Sequence, residues 1–218
     1  MSLLLQIDLY CERTDFGLWS EPVNALTNIE FILAGVLLMS RPRRPGTVPS
    51  VAMLPPLIVL IGIASFTFHT LATAWAGWTD TLSILLFACV FVYAFFSDIG
   101  RAPAWLSLAA AGAFFAASFA AKLWLPDLGL NGSEAYLPMV LGLAAMIVYL
   151  AREPSTRKQF ATATGLLLVS LTLRTIDADV CAAFPLGTHF AWHLLNAAVL
   201  YLLSAALMQR RAPGTASA

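Results

Sequence analysis

Seven predominantly apolar stretches, separated by short polar segments, take up most of the chain: 23–40, 51–71, 78–96, 104–121, 135–151, 159–174 and 188–209. A helix crossing the hydrocarbon core of a bilayer needs about 20 mostly apolar residues, because each adds about 1.5 Å against a thickness of about 30 Å. Each stretch is near that length. Only 11% of the 218 residues are charged, against roughly 25% in ordinary soluble domains. So few charges cannot cover a globule in water, so the solvent for this chain is lipid. Backbone polar groups in lipid must be satisfied within each segment, and the fold class that follows is all-α, a seven-transmembrane helix bundle.

The cations orient such a bundle, since positively charged loops stay cytoplasmic. With the N-terminus outside and the C-terminus cytoplasmic, the inner segments carry nine cations: Arg41, Arg43, Arg44, Arg101, Arg152, Arg157, Lys158, Arg210 and Arg211. The outer segments carry three, Arg13, Lys122 and Arg174. The first residues lack a basic region and acids follow them, unlike a secretory leader. The expected organisation is an acidic headpiece at 1–22, a membrane domain at 23–209 and a polar tail at 210–218. Net charge is zero and no basic run is interleaved with aromatics, which excludes nucleic acid as a partner. Compact loops and a short N-terminus point to a bacterial inner membrane.

The chain has three histidines, His69, His189 and His193. In the proposed topology the second helix runs outward to His69 and the seventh runs inward from His189, so all three lie at the outer face. His189 and His193 are four residues apart, on one helix face and separated by about 6 Å of rise, a spacing that can chelate one ion. His69 supplies a third nitrogen from a facing helix. Three neutral imidazoles suit zinc, and three protein ligands leave the fourth position open for water, as in catalytic sites. Ser65 lies one turn before His69, and Asp80 opens the third helix across a short loop; either can hydrogen-bond a metal-bound water or a substrate carbonyl. On the pattern alone, histidines at helix ends also serve as interfacial hydrogen-bond partners. Near the first helix, Asp8, Glu12, Asp15 and Glu21 form an oxygen cluster of the kind hard cations favour, or a solvated acidic segment. Asn24 and Asn28, four apart, are expected to hydrogen-bond between helices.

Three segments, DLYCERTDFGLWSEPVNALTN, SFTFH with Asp80 eleven residues on, and HFAWHLLN, resemble the alkaline ceramidase family, part of a heptahelical hydrolase superfamily that includes the adiponectin receptors. The resemblance anchors the first, second, third and seventh helices. It implies that His69, His189 and His193 bind zinc, that Ser65 assists the oxyanion and that Asp80 orients the zinc-bound water. It also implies a calcium ion in the headpiece, on Asp8, Glu12, Glu21, the carbonyl of Tyr10, and Thr14 or Asp15. The spacing from Glu12 to Glu21 is two residues shorter here than in the family.

The activity implied is hydrolysis of ceramide or another N-acyl lipid to a fatty acid and an amine. The lipid would enter sideways from the outer leaflet. A receptor or sensor with a structural zinc is the alternative, since fold alone does not decide function; a transporter lacks support, because no paired, broken midplane helices are visible. Of the three cysteines, Cys89 falls mid-helix as a small hydrophobe. Cys11 and Cys181 both fall on the outer side, where disulfides persist. They can be free thiols or a pair, and the resemblance implies a bridge.

Overall fold

The structure, a computed structural model, describes residues 2–42, 46–126 and 128–210. Arg43, Arg44 and Arg211, which entered the charge count, and the tail beyond Arg210 lie outside the described residues. Seven helices are long and apolar enough to cross a membrane: Pro22–Met39, Pro49–Leu71, Ala74–Ile99, Ala104–Trp124, Ser133–Arg152, Pro154–Val180 and His189–Gln209. They are called α1 to α7 in that order. The bundle is therefore all-helical with seven candidate spans. Helices α1, α2 and α6 have proline in the first turn, where a missing N–H breaks no intrahelical bond.

Helix α1 is interrupted at Asn28. There and beyond it lies close against α2. A Cβ on Gly35 would come within 2.7 Å of the Pro55 carbonyl oxygen, and one on Gly62 within 2.9 Å of that of Asn28. The two glycines let the backbones touch, the usual way helices pack in lipid. Asn24 and Asn28 do not bond between helices as expected. Their amides donate locally, Asn24 Nδ2 to Glu21 Oε2 at 3.1 Å and Asn28 Nδ2 to the Asn24 carbonyl at 2.7 Å.

Burial sorts the helices. At least half of the most apolar window is buried in α2, α3 and α7, against 11 to 22% in α4, α5 and α6. The central three enclose a core that includes Leu54, Ile58, Ile61, Phe87, Phe91 and Leu203. The outer three expose Leu108, Phe119, Val148 and Val169, a surface that only lipid would cover without penalty.

The sixth helix is the clearest departure from the sequence expectation. It spans Pro154–Val180 rather than 159–174. A hydropathy limit stops at the charges flanking the apolar centre, whereas the helical backbone continues through Arg174 and Asp177 because both find partners.

The headpiece folds back over the α2–α3 turn. Ala74 N–H donates to Leu5 O at 2.8 Å, Trp75 N–H to Leu3 O at 3.0 Å and Ile7 N–H to Ala72 O at 2.7 Å. A bond between Cys11 and Cys181 (S–S 1.97 Å) ties the headpiece to the end of α6. At the opposite end, buried Arg210 donates to Glu153 at 2.8 and 2.7 Å, joining the end of α7 to the α5–α6 connection.

Candidate metal centre and active site

His69 is in the last turn of α2, and His189 and His193 are in the first two turns of α7. All three are buried. Their ring centroids are 5.2 Å (His69–His189), 4.8 Å (His69–His193) and 4.6 Å (His189–His193) apart. One nitrogen from each lies within 4.8 Å of the others, near enough to hold one ion. Among the described residues this is the one such group of three or more histidine, cysteine or acidic side chains.

The partners of the rings fix their orientation. His69 Nδ1 is 2.6 Å from Glu21 Oε2, and a carboxylate acceptor there requires the proton on Nδ1, leaving Nε2 its lone pair. His193 Nδ1 is 2.9 Å from Thr27 Oγ1, whose own hydroxyl reaches the carbonyls of Val23 and Asn24, so the ring donates and its Nε2 is likewise free. Histidine ligands to metals are oriented by such partners. His189 stacks on Tyr10 at 3.6 Å, and its Nδ1 is buried without a hydrogen-bond partner. An orphaned buried nitrogen is costly, and a bound ion would relieve it. The donor set therefore fits zinc.

Ser65 is on α2 one turn before His69, and Asp80 is on α3. Both line the cavity next to His189 and His193. Asp80 Oδ1 is buried with no hydrogen-bond partner. The cavity has a volume of about 390 Å³. Beyond the polar groups its walls are apolar, with Phe31, Ile61, Phe87, Phe91, Leu200 and Leu203. Lys122, Tyr136 and Arg174 add polar groups to the lining, and Arg174 also donates to the Asn131 carbonyl at 2.5 Å.

The six residues expected to share calcium are not brought together. Asp8 is exposed. Both oxygens of Glu12 take N–H groups at the start of α1, Val23 and Asn24, each at 2.7 Å. Asp15 is exposed and accepts from Gly17 N–H at 2.7 Å. The Thr14 N–H is 3.3 Å from Ser20 Oγ. Tyr10 packs on the histidines, and burial pushes its hydroxyl up. Glu21 faces inward, with Arg13 Nε at 2.5 Å and His69 at 2.6 Å. Burial alone would raise its carboxyl, but the hydrogen bond from His69 and the charge and hydrogen bond of Arg13 outweigh that and hold it below the ordinary value. This donor set does not fit a calcium ion.

Sequence reasoning also passed over Asp177. It is fully buried near the end of α6. Its Oδ1 accepts from Thr188 and His189 N–H at 2.6 and 2.9 Å, and its Oδ2 from Cys11 N–H at 3.1 Å. The carboxylate thus caps the helix that carries two of the histidines, where the helix dipole favours negative charge. Asp177 lies just beyond the apolar stretch that ends at 174, so hydropathy gave no signal for it.

No curated protein matches the chain. The profile of the ceramidase family matches residues 10–216, a stretch that takes in the headpiece from Tyr10, all seven helices and every residue of the centre just described. The chain belongs to the ceramidase family, whose members are amide hydrolases, and within it is a membrane protein of seven helices.

Proposed function

We propose that the protein is a zinc-dependent membrane amidase that cleaves ceramide or a related N-acyl lipid into a fatty acid and an amine such as a sphingoid base. The observation that carries the reading is the three-histidine centre opening on an apolar cavity with Ser65 and Asp80 on its wall. Zinc held by His69, His189 and His193 supplies a Lewis acid and a water acidic near neutral pH.

The chain's own groups do the rest. The apolar wall takes the acyl chain and places the amide beside the histidines. The Ser65 hydroxyl donates to the carbonyl oxygen as negative charge grows there, the moment at which such a donor is worth most. Asp80 takes the proton released as water adds to the acyl carbon. It returns that proton to the nitrogen as the C–N bond breaks, so a carboxylic acid and an amine leave. The role of Ser65 is the one the resemblance implies; for Asp80 the resemblance implies orienting the water, the proton transfers extend that role, and the cavity the two residues share supports both.

The inner-side excess of cations supports an N-out orientation, which makes the outer leaflet the side of lipid access and a bacterial inner membrane the setting. Headpiece, bundle and tail remain the division at 1–22, 23–209 and 210–218. The test is to incubate purified protein with a panel of N-acyl lipids, with zinc and after its removal, and to identify released amines by mass spectrometry. Zinc-dependent release from at least one lipid is expected. A protein that binds zinc and releases nothing from any lipid would instead be a sensor.

A further inference from the structure

The cation of the headpiece is part of the chain. Arg13 is 5% exposed, and its guanidinium is surrounded by oxygen. Nε donates to Glu21 Oε1 at 2.5 Å and Nη2 to the His69 carbonyl at 2.9 Å. Nη1 donates to the Asp15 carbonyl at 3.0 Å and, at 3.5 Å, to that of Gly17. One carboxylate and three carbonyls are the donor types a hard divalent cation takes, and here all four are spent on a guanidinium. A divalent ion on Glu21 would sit against that fixed positive charge. The carboxylates left over cannot form a second place for it: Glu12 is committed to the α1 N-terminus, and Asp8 and Asp15 are exposed.

Arg13 also holds His69 twice. It binds the residue's carbonyl directly, and it binds Glu21, whose other oxygen takes the ring Nδ1. Glu21 without Arg13 would be a buried carboxylate with a single imidazole and the Asn24 amide for company, free to turn toward the metal itself.

We propose that Arg13 does in this protein what a headpiece calcium would do: it neutralises Glu21, gathers the 15–17 loop, and fixes His69 with Nδ1 protonated and Nε2 presented to the metal. Arg13 is thus a positioning residue, and the fold is independent of calcium. The part concerning His69 rests on the metal reading above; the calcium part does not.

Two measurements on the full chain in nanodiscs decide it. In the first, the wild type at buffered zinc is melted with and without millimolar calcium chloride, and its metals are counted by elemental analysis. An unchanged melting temperature and no retained calcium are expected; a calcium-dependent rise, or one calcium per chain, would overturn the proposal. In the second, zinc affinity is measured by chelator competition for Arg13→Ala and Arg13→Lys. Loss of an outer partner of a metal-bound histidine lowers affinity about 10- to 100-fold, so that loss is expected for Arg13→Ala. Partial recovery is expected for Arg13→Lys, which keeps the charge but not the fork of donors. Added calcium should recover zinc affinity in Arg13→Ala alone, because only there are the four oxygens without a cation. Wild-type affinity in Arg13→Ala would show that Arg13 does not position His69. If Arg13→Ala does not fold, Arg13→Lys carries the affinity measurement: wild-type zinc affinity there overturns the positioning role, and an intermediate loss supports it. A wild type that holds no zinc would defeat the metal reading while leaving the calcium measurement to decide the rest.

Discussion

The function proposed divides the side chains of the centre into groups that would hold a metal and groups that would move protons. His193→Ala removes one of three ligands, and two imidazoles hold zinc poorly, so metal and turnover should disappear together when zinc content and amine release are measured on the same sample. Asp80→Asn keeps the shape of a group outside the ligand set. Zinc should stay bound while turnover falls by about 10²- to 10⁴-fold, the usual contribution of a positioned acid or base; unchanged turnover would make Asp80 a structural partner. The histidines, Ser65 and Asp80 were legible in the sequence because helical spacing and alternating topology place them at one face. Their partners were not. Glu21 read as one of several acids before a helix, and nothing in its spacing says that it turns inward to His69. Arg13 read as a loop cation, although its burial makes it part of the scaffold.

Helices and connections set where the histidines stand, and the tightest connection lies just before α7. Gly187 has φ +67°, and a Cβ there would meet both Asp177 Oδ1 and Cys11 Cβ at less than 3 Å. A left-handed backbone at a non-glycine residue costs roughly 1–2 kcal/mol, and overpacking typically adds about 1–3 kcal/mol. Gly46, at φ +76° with nothing within 4 Å, separates the two effects. Gly46→Ala should lower stability by the backbone penalty alone, whereas Gly187→Ala should lose clearly more in denaturant melts and weaken zinc binding with it. Equal losses would mean that the Asp177 cap yields freely. Acid reports on the other end of the bundle, where the hydrogen bonds and charge of Arg210 hold Glu153 below its ordinary value despite some burial. A carboxyl depressed in the fold stabilises it above the unfolded pKa, and that contribution is lost as pH falls through the folded one. The stability difference between the wild type and Glu153→Gln should therefore be present at neutral pH and vanish in acid below the ordinary carboxylate range. The seven helices themselves were readable from hydropathy. The last turns of α6 were not, because the polar groups that end an apolar pattern, Arg174 and Asp177, are the ones the fold uses to hold the site.

The described part of the molecule is polarised along its helices, with the candidate metal centre, the headpiece and the bonded cysteines at one end and most of the described cations at the other. In the proposed topology, with nine inner cations against three outer ones, the first end would face away from the cytoplasm, and a disulfide persists on that side only if the compartment is oxidising. These two arguments are independent and meet at the same end, so they can be tested against each other. In the orientation proposed, a cysteine placed at exposed Ser2 should react with a membrane-impermeant maleimide on intact spheroplasts, and one placed at exposed Ser40, at the far end of α1, should react only after lysis. Unreduced peptides should meanwhile map Cys11 to Cys181. The bond closes a loop of 170 residues, for which chain entropy gives roughly 5 kcal/mol, an upper figure because insertion already restricts the unfolded chain. Replacing both cysteines with serine leaves the Asp177 carboxylate still holding the Cys11 backbone N–H and the start of α7. The double variant should therefore melt at a lower temperature yet keep its zinc below that transition. Loss of zinc at all temperatures would show that the covalent tie, rather than the buried carboxylate, sets the position of His189 and His193. Labelling of Ser40→Cys before lysis would reverse the topology and place the site on the cytoplasmic face.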